Sequence, residues 1–137
     1  MKLWRTLPLL TLAFFLVACE AQDPHAALPA APVNNHAALE KLAQAWHTAE
    51  KEIATAPRAL SGPARKAFVV KVFATAGYNY TATLQALAAH AVSTQDTKDL
   101  VELALLPHRN AGEPVSLQEI YSPQELHAVR ILESRSP

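Results

Sequence analysis

After residue 35 the apolar and polar positions of this chain alternate almost throughout with the period of a helix. Leu39, Leu42, Trp46, Ala49 and Ile53 recur at spacings of three and four, with Glu40, Lys41, Glu50 and Lys51 off the stripe. The pattern predicts an amphipathic helix near residues 36–54. Asn34 or Asn35 is its natural N-cap and Pro57 its stop. Ser61-Gly62-Pro63 opens a second helix, with proline suited to the first turn. Its Ala67, Phe68, Val69, Val72, Phe73 and Ala76 leave little polar surface, so it is expected at the centre, covered on several sides. Gly77 is the expected stop and Thr81 the expected cap of a third helix carrying Leu84, Leu87, Ala88, Ala91 and Val92. The alternative is one long helix through Gly77, at a cost of about 1 kcal/mol relative to alanine.

The later half is punctuated by caps. Ser93-Thr94-Gln95-Asp96 fits a capping box before Leu100, Val101, Ala104 and Leu105, and Pro107 closes that helix. Residues 107–115 read as a polar loop, and Ser116-Leu117-Gln118-Glu119 as the cap of a short turn to Tyr121. Ser122-Pro123-Gln124-Glu125 is the clearest cap, with proline at the first helical position and glutamate three past the cap. The last helix should run to about Ser134, packing through Leu126, Val129, Ile131 and Leu132. These elements predict an all-α domain, a small bundle of four to six short helices over residues 35–137.

The first 34 residues follow another pattern. Lys2 and Arg5 precede an apolar run from Leu7 to Val17, which breaks at Cys19-Glu20. That run is too short for a membrane span, which needs roughly 20 apolar residues. A basic start, a short apolar core and small residues at its end have the form of an export signal. Leu16-Val17-Ala18-Cys19 resembles the lipobox of a bacterial lipoprotein. The resemblance implies that residues 1–18 are a signal peptide removed before Cys19, and that Cys19 carries the lipid anchor. With Glu20 following the cysteine, it also implies sorting to the outer membrane, with the domain facing the periplasm. Residues 19–34 then form a tether. Pro24, Pro29 and Pro32 among alanines predict an extended segment, able to hold the domain about 40 Å from the membrane at about 3.1 Å per residue.

Charge and chemistry narrow the rest. Without residues 1–18 the chain has ten basic and twelve acidic residues, a formal charge of −2. That balance argues against nucleic acid, which needs a concentrated basic face. Cys19 is the only cysteine, so the domain has no disulfide. The histidines fall mostly one to an element, and His36 and His47 lie about 16 Å apart on one helix, so no metal or other cofactor is expected. No H-E-x-x-H, E-x-x-H or G-x-S-x-G pattern occurs, and every conspicuous serine sits where a cap is wanted.

Two features point to a protein partner at the envelope. From Val72 to Gln95 the chain carries no formal charge, as suits either a buried hairpin or a groove between the second and third helices. Phe68, Val72, Leu84 and Leu87 would line that groove, with Tyr78 and Tyr80 at its end. Arg58, Arg65, Lys66 and Lys71 cluster without an intervening acid, so Arg65 and Lys66, near a helix N-terminus, call for an acidic contact from the fold or from a partner. The expected function is therefore non-catalytic protein binding by a lipid-anchored domain. In size and class the protein resembles pilotins, which clasp a partner helix, and immunity or exclusion lipoproteins. The alternatives are a peptidoglycan-directed enzyme or glycan-binding module, with a cleft drawn from Glu40, His47, His90, Glu125 and His127, and a structural spacer.

Overall fold

The computed structural model describes residues 27–53, 60, 62–90, 93–109 and 116–135. Among the described residues there are six helices and no strand. They are α1 (His36–Glu50), α2 (Gly62–Thr75), α3 (Tyr80–Ala89), α4 (Gln95–Ala104), α5 (Leu117–Ile120) and α6 (Pro123–Arg135). The expected all-α bundle is what the chain forms. The signal sequence, Cys19, Arg58 and most of the 107–115 loop lie outside the described residues.

The helix ends follow local chemistry. Asn35 caps α1 by accepting from the Ala38 amide at 3.1 Å. Gly77 is the stop of α2: at φ +95° it lets the Tyr78 amide reach Phe73 O at 2.8 Å and its own amide reach Ala74 O at 2.9 Å. This paired closure needs a left-handed residue at that position. The long-helix alternative is thereby excluded. Two caps differ from expectation by a residue or two. Asn79, not Thr81, caps α3, accepting from the Ala82 amide at 2.7 Å. Thr94, not Ser93, caps α4 through the Thr97 amide at 3.2 Å. Asparagine's longer side chain serves the α3 amide and leaves the Thr81 hydroxyl for a tertiary bond. Ser122 and Glu125 complete the capping box in full, each side chain accepting from the other's amide at 3.2 and 2.9 Å.

The core is built around α2 and α3. Val69, Val72 and Phe73 of α2 and Leu84 and Leu87 of α3 are fully buried, packed with Leu42 of α1, Leu100 and the C-cap Leu105 of α4, and Val129 and Leu132 of α6. Helix α2 packs against α1, α3 and α5, while α3 packs against α2, α4 and α6. The buried face of α1 is rotated from the expected stripe. It runs Ala38, Leu42, Ala45 and Ala49, and the larger Leu39, Trp46 and Ile53 flank it half-buried. Small residues let the α1 and α2 backbones approach closely, and Trp46 closes the seam edge-on to Phe68 at 4.9 Å.

Helices α3 and α6 are tied together at both ends. The Thr81 hydroxyl donates to Glu125 at 2.6 Å near their N-termini. Arg135 donates to the carbonyls of Ala88 and His90, each at 2.8 Å, where α3 ends. The guanidinium thus satisfies orphan carbonyls at the negative end of the α3 dipole. The two helices therefore run parallel, with α4 and α5 intervening in sequence.

The tether is shorter than its composition suggests. Pro29 O accepts from the Asn79 amide at 2.7 Å, and the Ala31 amide donates to Thr83 Oγ1 at 2.9 Å. Thr97 Oγ1 donates to Val33 O at 2.5 Å. Ala31 is 1 % exposed and belongs to the core. Residues 29–34 are thus part of the folded domain rather than of a free spacer, because two buried hydroxyls bind their backbone.

Candidate functional site

The expected groove between α2 and α3 is filled. Phe68, Val72, Leu84 and Leu87 are core residues, none more than 6 % exposed, and they meet each other and their neighbours rather than open space. Tyr80 is equally buried, donating to Ala104 O at 2.5 Å and packing edge-on to Phe73 at 5.3 Å. An uncharged run reads the same whether it lines a cleft or fills a core, and here its Val72, Leu84 and Leu87 fill the core. Arg65 is buried too, and its Nε donates to Leu106 O at 2.7 Å. The acid expected near the α2 N-terminus is Glu125, ion-paired with Lys66, while Lys71 pairs with Glu52. Tyr78, half-buried, joins Lys66, Val70, Asn79, Tyr80, Thr81 and Glu125 around a pocket of about 190 Å³.

The larger opening lies on the other flank of α3, facing α6. It is a groove of about 530 Å³ lined by Gln85, Ala88 and Ala89 on one wall and Pro123, Gln124, His127, Ala128 and Ile131 on the other. The parallel α3–α6 pairing positions it. With both helices clamped at their ends, small side chains at 88, 89 and 128 leave a furrow between them. No lining residue is an aspartate, glutamate, lysine or arginine, and Gln85, Gln124 and His127 supply the hydrogen-bonding groups. Exposed Arg130 follows His127 by three positions and shares its face of α6. Sequence reasoning missed this groove because it depends on which distant helix covers α3. The available signal was α3 itself, whose ten residues contain no charge, with alanines where an exposed helix ordinarily carries lysine or glutamate.

The structure also holds two polar networks, the first bordering the small pocket. Glu125 accepts from Lys66, from the Thr81 hydroxyl and from the Ser122 amide. Burial pushes its carboxyl up, but these three donors outweigh burial and hold it below the usual carboxylate range. The second network links Tyr121 OH to His108 Nδ1 at 2.7 Å and His108 Nε2 to Glu133 at 2.8 Å. Arg109 bridges Glu133 at 3.0 Å and Glu102 at 2.6 Å. Glu133 is pushed up by burial but ends below its ordinary value because Arg109 and His108 both donate to it.

The order hydroxyl, imidazole, carboxylate is that of a nucleophilic relay. Burial, however, pushes the Tyr121 phenol well above its ordinary value, and neither pocket is lined by Tyr121. Through Tyr121, His108 and Glu133 the arrangement ties the α4–α5 connection to α6. Of the five side chains that could form a glycan cleft, Glu125 lines the small pocket and His127 the groove, and neither opening holds two of them. Among the described residues no group of three His, Cys, Asp or Glu side chains is placed to hold a metal ion. The chain matches no family model, no curated protein and no solved structure.

Proposed function

We propose that this protein is a lipid-anchored envelope lipoprotein of the outer membrane that holds a protein partner, without catalysis, in the groove between α3 and α6. The observation that carries the reading is the groove's composition: a furrow of about 530 Å³ without Asp, Glu, Lys or Arg, whose walls combine three alanines and Ile131 with the hydrogen-bonding side chains of Gln85, Gln124 and His127. Apolar furrows between paired helices suit an amphipathic helix, which inserts anchors at i, i+3 and i+4. Small residues in the walls favour close backbone approach, and the lack of charge avoids burying an unpaired ion. Exposed Arg130 on the same face favours a partner helix with an acidic edge. A lipid on Cys19 would confine the domain to a surface and so raise its effective concentration toward membrane partners.

The test is site-specific photo-crosslinking in cells, with the reactive group at exposed Ala89 in the groove or at exposed Gln118 on α5. The expected result is a discrete adduct from position 89, absent from 118, and lost when Ile131→Asp places a charge in the groove. No adduct, an equal adduct from 118, or one that survives Ile131→Asp overturns the reading.

A further inference from the structure

The docked segment before α1 has a positional consequence, which rests on the reading of Cys19 as the lipid anchor. We infer that residues 29–34 act as a strap that holds one defined end of the bundle against the membrane. The strap meets the domain where the Asn79 amide donates to Pro29 O, at the turn between α2 and α3. It then passes Thr83 and Thr97 and leaves at Asn34, whose Oδ1 accepts from the Thr94 hydroxyl at 2.9 Å. It therefore runs from the α2–α3 turn to the N-terminus of α4, six residues ending in a turn at 33–34, so at most about 15 Å over five steps of about 3.1 Å.

The two threonines are built for this contact. Thr83 and Thr97 are 0 % and 1 % exposed, in a core otherwise made almost wholly of apolar side chains. A buried hydroxyl is costly unless bonded. Thr83 Oγ1 donates to Asn79 O at 2.7 Å and uses its lone pair for the strap amide of Ala31. Thr97 Oγ1 donates to the strap carbonyl of Val33. Valine would nearly match either shape but would offer the strap no bond, so these hydroxyls tie the strap to α3 and α4 while also bonding Asn79 O and the Thr94 hydroxyl.

Docking limits the reach of the anchor. Ten residue steps separate Cys19 from Pro29, so the α2–α3 turn lies within about 36 Å of the anchored residue even if every step is fully extended. Were the chain free as far as Asn35, sixteen steps would allow about 58 Å. By fixing the attachment point at the α2–α3 turn, the strap also biases orientation. The α2–α3 turn, with half-buried Tyr78 (a residue type that favours the headgroup layer), faces the bilayer. The N-terminus of α4 faces away.

Vesicles of phosphatidylethanolamine and phosphatidylglycerol carrying the acylated full protein test this. A fluorophore is placed through Thr75→Cys, exposed at the membrane-proximal end, or through Ser93→Cys, exposed at the far end. Headgroup-nitroxide lipid should quench position 75 at least twofold more than position 93. The Thr83→Val/Thr97→Val protein should lose that asymmetry, with hydrogen exchange at the Ala31 amide accelerated at least tenfold. Ala31→Arg, which ejects the strap without touching the threonines, should do the same while the helical circular dichroism is retained. Equal quenching of the two positions in the parent, or asymmetry that survives in both variants, overturns the inference and leaves the anchor intact. Failure to associate with vesicles, with no acyl mass on Cys19, overturns the inference together with the anchor.

Discussion

Glu125→Gln removes one negative charge from a nearly buried site and leaves its size unchanged. The glutamine oxygen can still accept from the Ser122 amide, and the Thr81 hydroxyl can turn to accept from the new amide group. What has no replacement is the ionised acceptor in the bond to Lys66. Bonds of that kind contribute about 1.5–3 kcal/mol. The larger loss of about 3–5 kcal/mol for breaking a fully buried pair does not apply, because the Lys66 side chain is 21 % exposed and regains some hydration. The expected loss at pH 7 is therefore about 2 kcal/mol, or near 10 °C in Tm for a domain of this size.

The pH dependence supplies the sharper test. The folded-state value of Glu125 is depressed, so the unfolded chain takes up its proton first as the solution is acidified. The stabilisation is fully present above the unfolded carboxylate value of about 4.3 and is lost as pH falls through the folded value. Glu133 shifts in the same direction but is present in both proteins, so it cancels from their difference. Urea unfolding can be followed by the emission of Trp46, the only tryptophan after residue 18, which packs on Phe68. Parent and variant should differ by about 2 kcal/mol at pH 7, and the difference should shrink as pH falls below the unfolded carboxylate value of about 4.3. A difference below about 0.5 kcal/mol at pH 7, or one that does not shrink in acid, would refute the assignment.

Other expectations follow from single positions. Gly77→Ala should cost about 1–2 kcal/mol in thermal unfolding through backbone strain alone, since a Cβ there meets nothing within 4 Å. Gly77→Asn should cost less, and equal losses would contradict a left-handed requirement. Arg135→Ala should cost about 1 kcal/mol and speed amide exchange in the last turn of α3, leaving its first turn unchanged. Leu87→Asp should unfold the domain, whereas Ala89→Glu should stay within about 0.5 kcal/mol of the parent while abolishing groove binding, as circular dichroism and crosslinking together would report.

Most of the fold was legible because it is local. Caps at Asn35 and Ser122, the stop at Gly77 and the three-and-four periodicity of α1 each need only a few neighbouring residues. Placements that depend on a distant partner were not legible. Thr81 looks like a cap until Glu125 arrives from 44 residues away to claim its hydroxyl. Thr83 and Thr97 look like ordinary helix residues until the strap lies across them. Six of the eight candidate contact residues are uncharged, and the same property places Phe68, Val72, Leu84 and Leu87 inside the core. The groove flanking α6 was hidden because alanine at 88, 89 and 128 carries no signal of which helix it faces.

The central claim is that a small helical domain is held at a membrane by a lipid on residue 19. Intact-mass analysis of the protein recovered from the membrane fraction tests it directly. The account predicts a chain beginning at Cys19, without residues 1–18, heavier than the polypeptide by a diacylglyceryl group and an amide-linked acyl chain. A product that retains residues 1–18, or one with an unmodified Cys19, would contradict it.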